Sequence, residues 1–303
     1  MLVELRNRLL FGTIIAAAVV AGLASDLARG SHLAVLVLGV LGVALGSLEY
    51  ARLARTLAAE IPVLPMLVTG VALVLEAALR DPALQAAEGS WLRPLTGLMT
   101  TVPLEVVTIS LGMVWVVIAQ MFRHGTERFF ANVGAAVLGI VYLGVSFSLL
   151  MRLALIGGDG NSGRGTQLLL MFLATVKLGD VCAYFGGRAF GRRKLAPRIS
   201  PGKTWEGFAA SFIGAVGGAY LMFAVLALTC TQSPFSGWWQ PAVWGLVLGP
   251  LGVAGDLAES CMKRDAAVKD SGAAVPGFGG ILDILDALIL AAPVAYLLGV
   301  VLT

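Results

Sequence analysis

Residues 129–151 read FFANVGAAVLGIVYLGVSFSLLM, a run of 23 residues that contains no Asp, Glu, Lys or Arg. A helix needs about 20 apolar residues to cross the hydrocarbon core of a bilayer. Within lipid every backbone polar group must be hydrogen-bonded, and a helix achieves this inside a single segment. This run therefore predicts a membrane-spanning helix.

Similar apolar runs make up most of the chain. Of its 303 residues, 58% are hydrophobic and 13% are charged, whereas a soluble domain carries about 25% charged residues. This composition excludes an ordinary soluble enzyme, a disordered chain and a collagen. The sequence predicts an all-α, polytopic helical membrane protein with about nine transmembrane helices. The predicted spans are residues 9–24, 32–48, 61–79, 102–122, 129–151, 166–185, 207–230, 238–257 and 281–302.

The distribution of Lys and Arg predicts the orientation. With the N-terminus inside, fifteen of these residues fall in cytoplasmic segments and five in outer segments, while Lys177 lies within a span. Cytoplasmic segments are enriched in Lys and Arg, so we expect a cytoplasmic N-terminus. The net charge of +3 is small and gives no indication of nucleic-acid binding. Arg6 and Arg8 before the first apolar run also fit a cleaved signal peptide, which would leave the later spans in the same orientation.

The two parts of the chain differ in character. Residues 1–165 are predicted to form an N-terminal transmembrane scaffold, in which Glu76 and Glu105 lie near span ends and reach headgroups or water. Small residues at Gly-x-x-x-Gly spacing should let helices approach closely. The three cysteines are expected to be buried without disulfides, and neither histidine is assigned any chemistry. Residues 166–303 are predicted to form a catalytic transmembrane region with a cytoplasmic basic loop and a C-terminal motif.

Four acidic residues mark the catalytic region, because they lie at or inside the cytoplasmic ends of predicted spans. They are Asp180, Asp256, Asp283 and Asp286. An ionisable group at membrane depth is expensive and therefore indicates a function. Asp283 and Asp286 share one helix face at i, i+3 spacing, and a bound cation would relieve their repulsion. Oxygen ligands without nearby Cys or His favour Mg²⁺ or Mn²⁺ over Zn²⁺.

Two further segments carry chemistry that complements these acids. In the basic loop, residues 186–207, the cations could simply bind anionic lipid headgroups. The run Ser200-Pro201-Gly202-Lys203-Thr204-Trp205-Glu206 adds hydroxyls, a Lys and a helix N-terminus, which together suit a phosphate. In residues 255–286, acids alternate with Lys263, Arg264 and Lys269, so this segment can hold both a metal and phosphate oxygens.

These segments resemble two motifs of the phosphatidate cytidylyltransferase (CDP-diacylglycerol synthase) family. The C-terminal motif matches through Ser260, Lys263, Arg264, Lys269, Asp270, Gly272, Pro276, Gly279, Gly280, Asp283 and Asp286. The upstream block matches through Asp180, Tyr184, Gly187, Gly191, Pro197, Ser200, Pro201, Lys203, Thr204, Trp205, Glu206 and Gly207. The chain departs from the family at Phe278, where His is usual, at Ile284, where Arg is usual, and at Gly202, where Lys is usual.

The resemblance implies transfer of a cytidylyl group from CTP to phosphatidate, giving CDP-diacylglycerol and pyrophosphate, at the cytoplasmic face of the inner membrane. It implies Mg²⁺, leaves room for a second cation, and suggests a homodimer. The implied catalytic residues are Asp256, Asp283 and Lys203, and the implied metal ligands are Asp256, Asp283 and Asp286. The implied substrate-binding residues are Ser200, Thr204, Glu206, Ser260, Lys263, Arg264, Lys269 and Asp270.

Two other interpretations stay open. The departures at Phe278 and Ile284 are compatible with an inactive or altered-substrate paralogue that binds lipid phosphate. A membrane transporter also places charges within helices, but its acidic residues should lie near the bilayer midplane. Here the acidic residues gather at the cytoplasmic ends of the spans, which favours the enzyme.

Overall fold

The computed structural model describes residues 2–56, 60–81, 102–157, 163–272 and 279–303. Pro276 and Phe278 lie outside the described residues. The helices within these ranges are α1 (Leu2–Arg29), α2 (Leu33–Thr56), α3 (Val63–Ala78), α4 (Leu104–His124), α5 (Phe129–Gly139), α6 (Ser146–Ala154), α7 (Arg164–Phe190), α8 (Trp205–Thr229), α9 (Gln240–Asp265) and α10 (Leu282–Leu302). A π-helical turn, Ile140–Val145, joins α5 and α6 into one continuous span.

The helices confirm the predicted fold class. In the part of the chain that is described, eight helical segments are long and apolar enough to cross a membrane, and α3 is a shorter apolar helix. The chain is a polytopic helical membrane protein. Helix α9 continues eight residues beyond the predicted end at 257, to Asp265. No Pro or Gly follows Gly255 within it, and Lys263 and Arg264 in its last turn stabilise the helix C-terminus.

An ion-pair cluster joins three helix ends at one end of the bundle, which we call the far end. Arg80, just after α3, lies 2.7 Å from Glu105 at the start of α4. Arg152 in α6 lies 2.5 Å from Glu105, and both arginines also approach Glu76. The expectation that Glu76 reaches headgroups or water is wrong, since its side chain is buried. Pairing with two arginines offsets the cost of burying this carboxylate.

Two apolar clusters form the interior of the bundle, and each contains residues from both predicted regions. One packs Leu23 of α1 with Trp244 of α9 and Leu288 of α10. The other packs Leu143 of the π-helical turn with Leu282 of α10. Residues 1–165 and 166–303 therefore share their hydrophobic interior.

Small residues allow α7 and α8 to approach closely, as the Gly-x-x-x-Gly spacing predicts. A Cβ atom at Gly218 would lie 2.7 Å from the carbonyl oxygen of Ala174. One turn earlier, a Cβ atom at Gly214 would meet the carbonyl oxygen of Leu178 and lie 2.5 Å from the Cβ of Cys182. The backbones of the two helices thus touch where these glycines lie.

The end of the bundle opposite the far end, which we call the basic end, carries a two-stranded hairpin that the sequence analysis treated as a loop. Strand β1 (Lys194–Ala196) pairs antiparallel with β2 (Ser200–Thr204). Helix α7 also continues past the predicted end at 185 and reaches Phe190. The carboxylate of Glu206 accepts hydrogen bonds from the amides of Arg192 and Arg193. These bonds close the base of the hairpin against the first turn of α8.

The cysteines and histidines have ordinary surroundings. All three cysteines are free, as expected, but Cys182 and Cys230 are only half-buried and Cys261 is exposed, so the expectation that they are buried is wrong. Helix α9 extends beyond its apolar run at Cys261, which leaves one face of the added turns uncovered. His32 pairs with Asp81 at 2.8 Å, and His124 pairs with Glu60 at 2.7 Å.

The glycine contacts lead to a paired stability experiment on α8. In Gly214→Ala the added methyl group meets backbone that cannot move, so we expect a loss of about 1–3 kcal/mol in unfolding free energy. Gly217→Ala is the matched control, because a Cβ atom there has nothing within 4 Å, and alanine favours helix by up to about 1 kcal/mol. Thermal unfolding in detergent measures both. Equal midpoints for the two variants would contradict the close contact of α7 and α8.

Candidate active site

A cleft of about 360 Å³ opens at the basic end of the bundle, between α7, the hairpin, the start of α8, and α9. Four of the predicted site residues line it, namely Ser200, Lys203, Thr204 and Asp256. Helix α7 adds Asp180, Tyr184 and Arg188 to the wall. The structure thus brings the upstream block and the C-terminal motif together around one space.

Lys203 connects the hairpin to α9 inside this cleft. Its Nζ lies 2.8 Å from Oδ2 of Asp256 and donates to the carbonyl oxygen of Val253 at 3.2 Å. About a fifth of the lysine side chain is exposed, so the ammonium can be reached from the cleft. A lysine in this position can exchange its carboxylate partner for the oxygen atoms of a phosphate.

Three carboxylates lie near one another at and beside the cleft. Asp180 and Asp256 line it, and Asp286, which does not line it, lies close enough to both for the carboxylates to repel one another electrostatically. Helices α9 and α10 are in contact here, since a Cβ atom at Gly255 would lie 3.0 Å from the Cα of Ala287. Oδ1 of Asp286 accepts a hydrogen bond from the amide of Ala287. Negative charge from three separate helices is therefore concentrated at and beside the cleft.

Asp283 belongs to a neighbouring cluster that is more enclosed. The Nζ of Lys263 lies 2.5 Å from Glu259 and 2.6 Å from Oδ1 of Asp283. Oδ2 of Asp283 accepts hydrogen bonds from the hydroxyl and amide of Ser271, at 2.8 and 3.0 Å, and from the amide of Gly280 at 2.7 Å. Both carboxylate oxygens of Asp283 are therefore engaged by the protein itself.

The described residues contain no group of three or more His, Cys, Asp or Glu side chains arranged to hold a metal ion. Mg²⁺ is usually held by one or two carboxylates together with substrate phosphates, so such a group is not required. Asp256 and Asp286 fit this kind of site, because Asp256 lines the cleft and Asp286 lies close enough to it for the two carboxylates to repel each other. Asp283 fits less well, because its oxygens are already engaged. The metal site stays a prediction.

The other predicted substrate-binding residues make local contacts. The Ser260 hydroxyl is 3.5 Å from Asp256, and the Arg264 side chain donates to the carbonyl oxygen of Ile199. The Thr204 hydroxyl accepts from the amide of Gly207 and caps α8, while Glu206 closes the hairpin. Lys269 and Asp270 lie exposed on the segment after α9.

Two residues beside these clusters were not predicted from the sequence. Lys177 in α7 donates to the carbonyl oxygen of Ile284 at 2.9 Å and lies 3.9 Å from Asp180. Its position within a span was a usable signal, because a charge at membrane depth indicates function. Glu49 in α2 contacts the segment before α10. It directly follows the predicted span 32–48 and therefore resembled an ordinary surface acid.

Sequence similarity identifies the family to which this chain belongs. Residues 6–302 match the sequence profile of the cytidylyltransferase family. The chain belongs to the cytidylyltransferase family. The match covers both clusters and the cleft, so the cleft is a candidate active site for a nucleotidyltransferase.

Curated relatives of this cytidylyltransferase are similar over part of their length. The phosphatidate cytidylyltransferase of Brucella suis is 41% identical over 163 residues, which cover 54% of this chain and 56% of the relative. That of Chlamydia pneumoniae is 36% identical over 193 residues, covering 62% and 61%. A chloroplastic phosphatidate cytidylyltransferase of Arabidopsis thaliana is 34% identical over 203 residues, covering 60% and 49%. The chain thus spans about half to three fifths of the relatives it matches.

The position of Lys203 leads to a binding experiment. We expect Lys203→Met to weaken CTP binding at least about tenfold, because a hydrogen bond to a charged group contributes roughly 1.5–3 kcal/mol. Lys194→Met is the matched control, since Lys194 is an exposed lysine of the same hairpin that does not line the cleft. Titration of detergent-purified protein with CTP measures both. Unchanged affinity in Lys203→Met would remove Lys203 from the nucleotide site.

Proposed function

We propose that this cytidylyltransferase transfers a cytidylyl group from CTP to phosphatidate, giving CDP-diacylglycerol and pyrophosphate. The observation that carries the proposal is the cleft lined by Lys203, Asp256 and Asp180, with Asp286 close to both acids, in a membrane-embedded chain. A lysine beside clustered carboxylates suits a nucleoside triphosphate with its cation. The relatives named phosphatidate cytidylyltransferase support phosphatidate as the acceptor.

The surroundings of the cleft support a lipid acceptor. Val181 is 47% exposed on α7 and directly follows Asp180, which lines the cleft. Because an exposed apolar residue on a transmembrane helix faces lipid, we infer that the cleft is accessible from the bilayer as well as from water. Lys177 lies one helical turn below Val181 along the same helix, with about half of its side chain exposed. A lipid phosphate can therefore approach the carboxylates along a surface that offers it a cation.

The reaction proceeds by direct displacement. An oxygen of the lipid phosphate attacks the α-phosphorus of CTP, a new P–O bond forms, and the bond to the bridging oxygen breaks. Pyrophosphate leaves with the electron pair of that bond. Both reactants are anionic, so the barrier is largely electrostatic and no covalent enzyme intermediate is needed. Lys203 and Lys177 would hold the two sets of phosphate oxygens near each other and offset their charge.

The proposal includes Mg²⁺, with Asp256 and Asp286 as its protein ligands. When bound, the ion would neutralise phosphate charge at the point of displacement. Asp283 would contribute through its ion pair with Lys263, which aligns the first turn of α10. A second cation, a homodimer and the inner membrane remain predictions of the resemblance. The Lys and Arg bias supports a cytoplasmic site, where CTP is available.

The central test is transfer by the purified protein. Radiolabelled CTP, Mg²⁺ and a panel of lipid phosphates are supplied in mixed micelles, and the labelled lipid product is measured. We expect a nucleotide-bearing lipid from phosphatidate, and a loss of at least about a hundredfold in Asp286→Asn. Asp265→Asn is the matched control, because Asp265 is an exposed acid at the end of α9.

Three other results would each indicate an alternative function. A product formed only from another lipid phosphate would indicate an altered-substrate paralogue. No product from any lipid, with CTP still bound, would indicate a non-catalytic paralogue. Counterflow of a solute in proteoliposomes without nucleotide would indicate a transporter.

Lys177 allows the lipid side of the site to be tested separately. We expect Lys177→Met to raise the KM for phosphatidate about five- to tenfold while the KM for CTP stays within about twofold, because one cation near the lipid phosphate is lost. Lys177→Arg keeps the cation and should retain most of the affinity. Steady-state kinetics at varied surface concentration of phosphatidate measure both variants. An equal rise in both KM values would show that Lys177 does not act on the lipid alone.

A further inference from the structure

Glu49 lies in α2, in the region predicted to be scaffold, yet it contacts the segment that carries Asp283. Its side chain is only 3% exposed. One oxygen accepts a hydrogen bond from the amide of Ile281 at 2.9 Å, and the other accepts one from the amide of Leu282 at 2.8 Å. These are the amides at the start of α10. A buried carboxylate is stable here because the helix N-terminus offers N–H donors and partial positive charge.

Glu49 and Asp283 are also joined through one hydroxyl. The Ser271 hydroxyl lies 2.8 Å from Oδ2 of Asp283 and 3.3 Å from Oε2 of Glu49. With its single proton it can donate to only one of the two at a time. The positions of the two carboxylates are therefore coupled through Ser271.

Two glycines of the C-terminal motif are packed directly against Glu49. A Cβ atom at Gly272 would lie 2.8 Å from Oε1 of Glu49, and a Cβ atom at Gly280 would collide with its other oxygen. Both positions have room only for glycine while Glu49 is in place. Gly272 and Gly280, which lie on either side of residues 273–278 in the sequence, therefore both pack against this carboxylate.

We propose that Glu49 is a positioning residue of the active site, which holds the first turn of α10 so that Asp283 and Asp286 keep their geometry. The positioning role rests on the proposed function only in that the positioned residues are taken to form the active site. Glu49 is enclosed by the amides it binds, so it acts through the segment and does not touch substrate. Because α2 is anchored in the bundle, its carboxylate fixes residues 279–283 relative to α9, where Asp256 and Lys263 lie.

The test combines hydrogen exchange with kinetics on the full chain. In Glu49→Gln the side chain keeps one acceptor oxygen, but an NH₂ group replaces the other oxygen and cannot accept a hydrogen bond from a backbone N–H. One of the two hydrogen bonds at the start of α10 is therefore lost. We expect at least tenfold faster exchange of the amides of Ile281 and Leu282. The kcat should fall about tenfold, because small misplacement of reacting groups is costly. The KM for CTP should stay within about twofold.

The matched control is Glu60→Gln. Glu60 is an acid at the same end of the bundle, is 71% exposed and pairs with His124. Its replacement removes the same charge without touching the segment before α10, and both readouts should stay at the wild-type value. Ser271→Ala is a milder second variant that removes only the shared hydroxyl, and we expect a two- to fivefold fall in kcat with an unchanged unfolding midpoint.

The outcomes are distinguishable. Wild-type kcat and wild-type exchange in Glu49→Gln would overturn the positioning role. A fall in kcat accompanied by faster exchange throughout the bundle and a lower unfolding midpoint, with Ser271→Ala unaffected, would show a general structural role and would also overturn it. Absence of transfer activity in the wild-type protein would count against the proposed function, while the exchange measurement would still test whether Glu49 holds the start of α10.

Discussion

The ammonium of Lys263 lies between the carboxylates of Glu259 and Asp283, in the turns of α9 that continue beyond its apolar run. Burying such groups is favourable only when opposite charges and hydrogen bonds satisfy them together. This contact holds α9 against α10 and so brings Asp256 beside Asp286. The amides of Ser271 and Gly280 complete the surroundings of Asp283. The geometry of the cleft therefore depends on a cluster of three charged groups that does not itself line it.

The two ends of the bundle differ in how their charges are balanced. At the far end, Glu76 and Glu105 face two arginines, so positive and negative groups are equal in number. At the cleft, Lys203 pairs with Asp256 and Lys177 lies 3.9 Å from Asp180, while Arg188 also lines the wall and Asp286 forms no ion pair with any described residue. A partly enclosed space that holds both cations and carboxylates suits an anionic ligand together with a cation. The far end is complete within the protein, whereas the cleft is suited to an external ligand.

The membrane-spanning helices could be predicted from hydropathy, because a single segment in lipid satisfies all its backbone hydrogen bonds by itself only as a helix. The motif residues Lys203 and Asp256 could be predicted because their segments carry an unusual mixture of charge, hydroxyl and glycine. The helix end at Asp265 could not be predicted this way, since helices continue into water wherever no residue interrupts them. The role of Glu49 was hidden as well. Its partners are amides more than 200 residues away, and single-sequence patterns carry no information about such contacts.

The π-helical turn at Ile140–Val145 has a consequence for the architecture of the whole bundle. A π turn holds more residues than an α turn, so the side-chain phase of α6 is rotated relative to that of α5. The buried positions Ala136, Ile140, Leu143 and Phe147 belong to one apolar cluster, and Met151, Leu153 and Ala154, nearer the end of the span, belong to the other. A single covalent segment with a π turn in its middle thus lines both apolar clusters of the bundle.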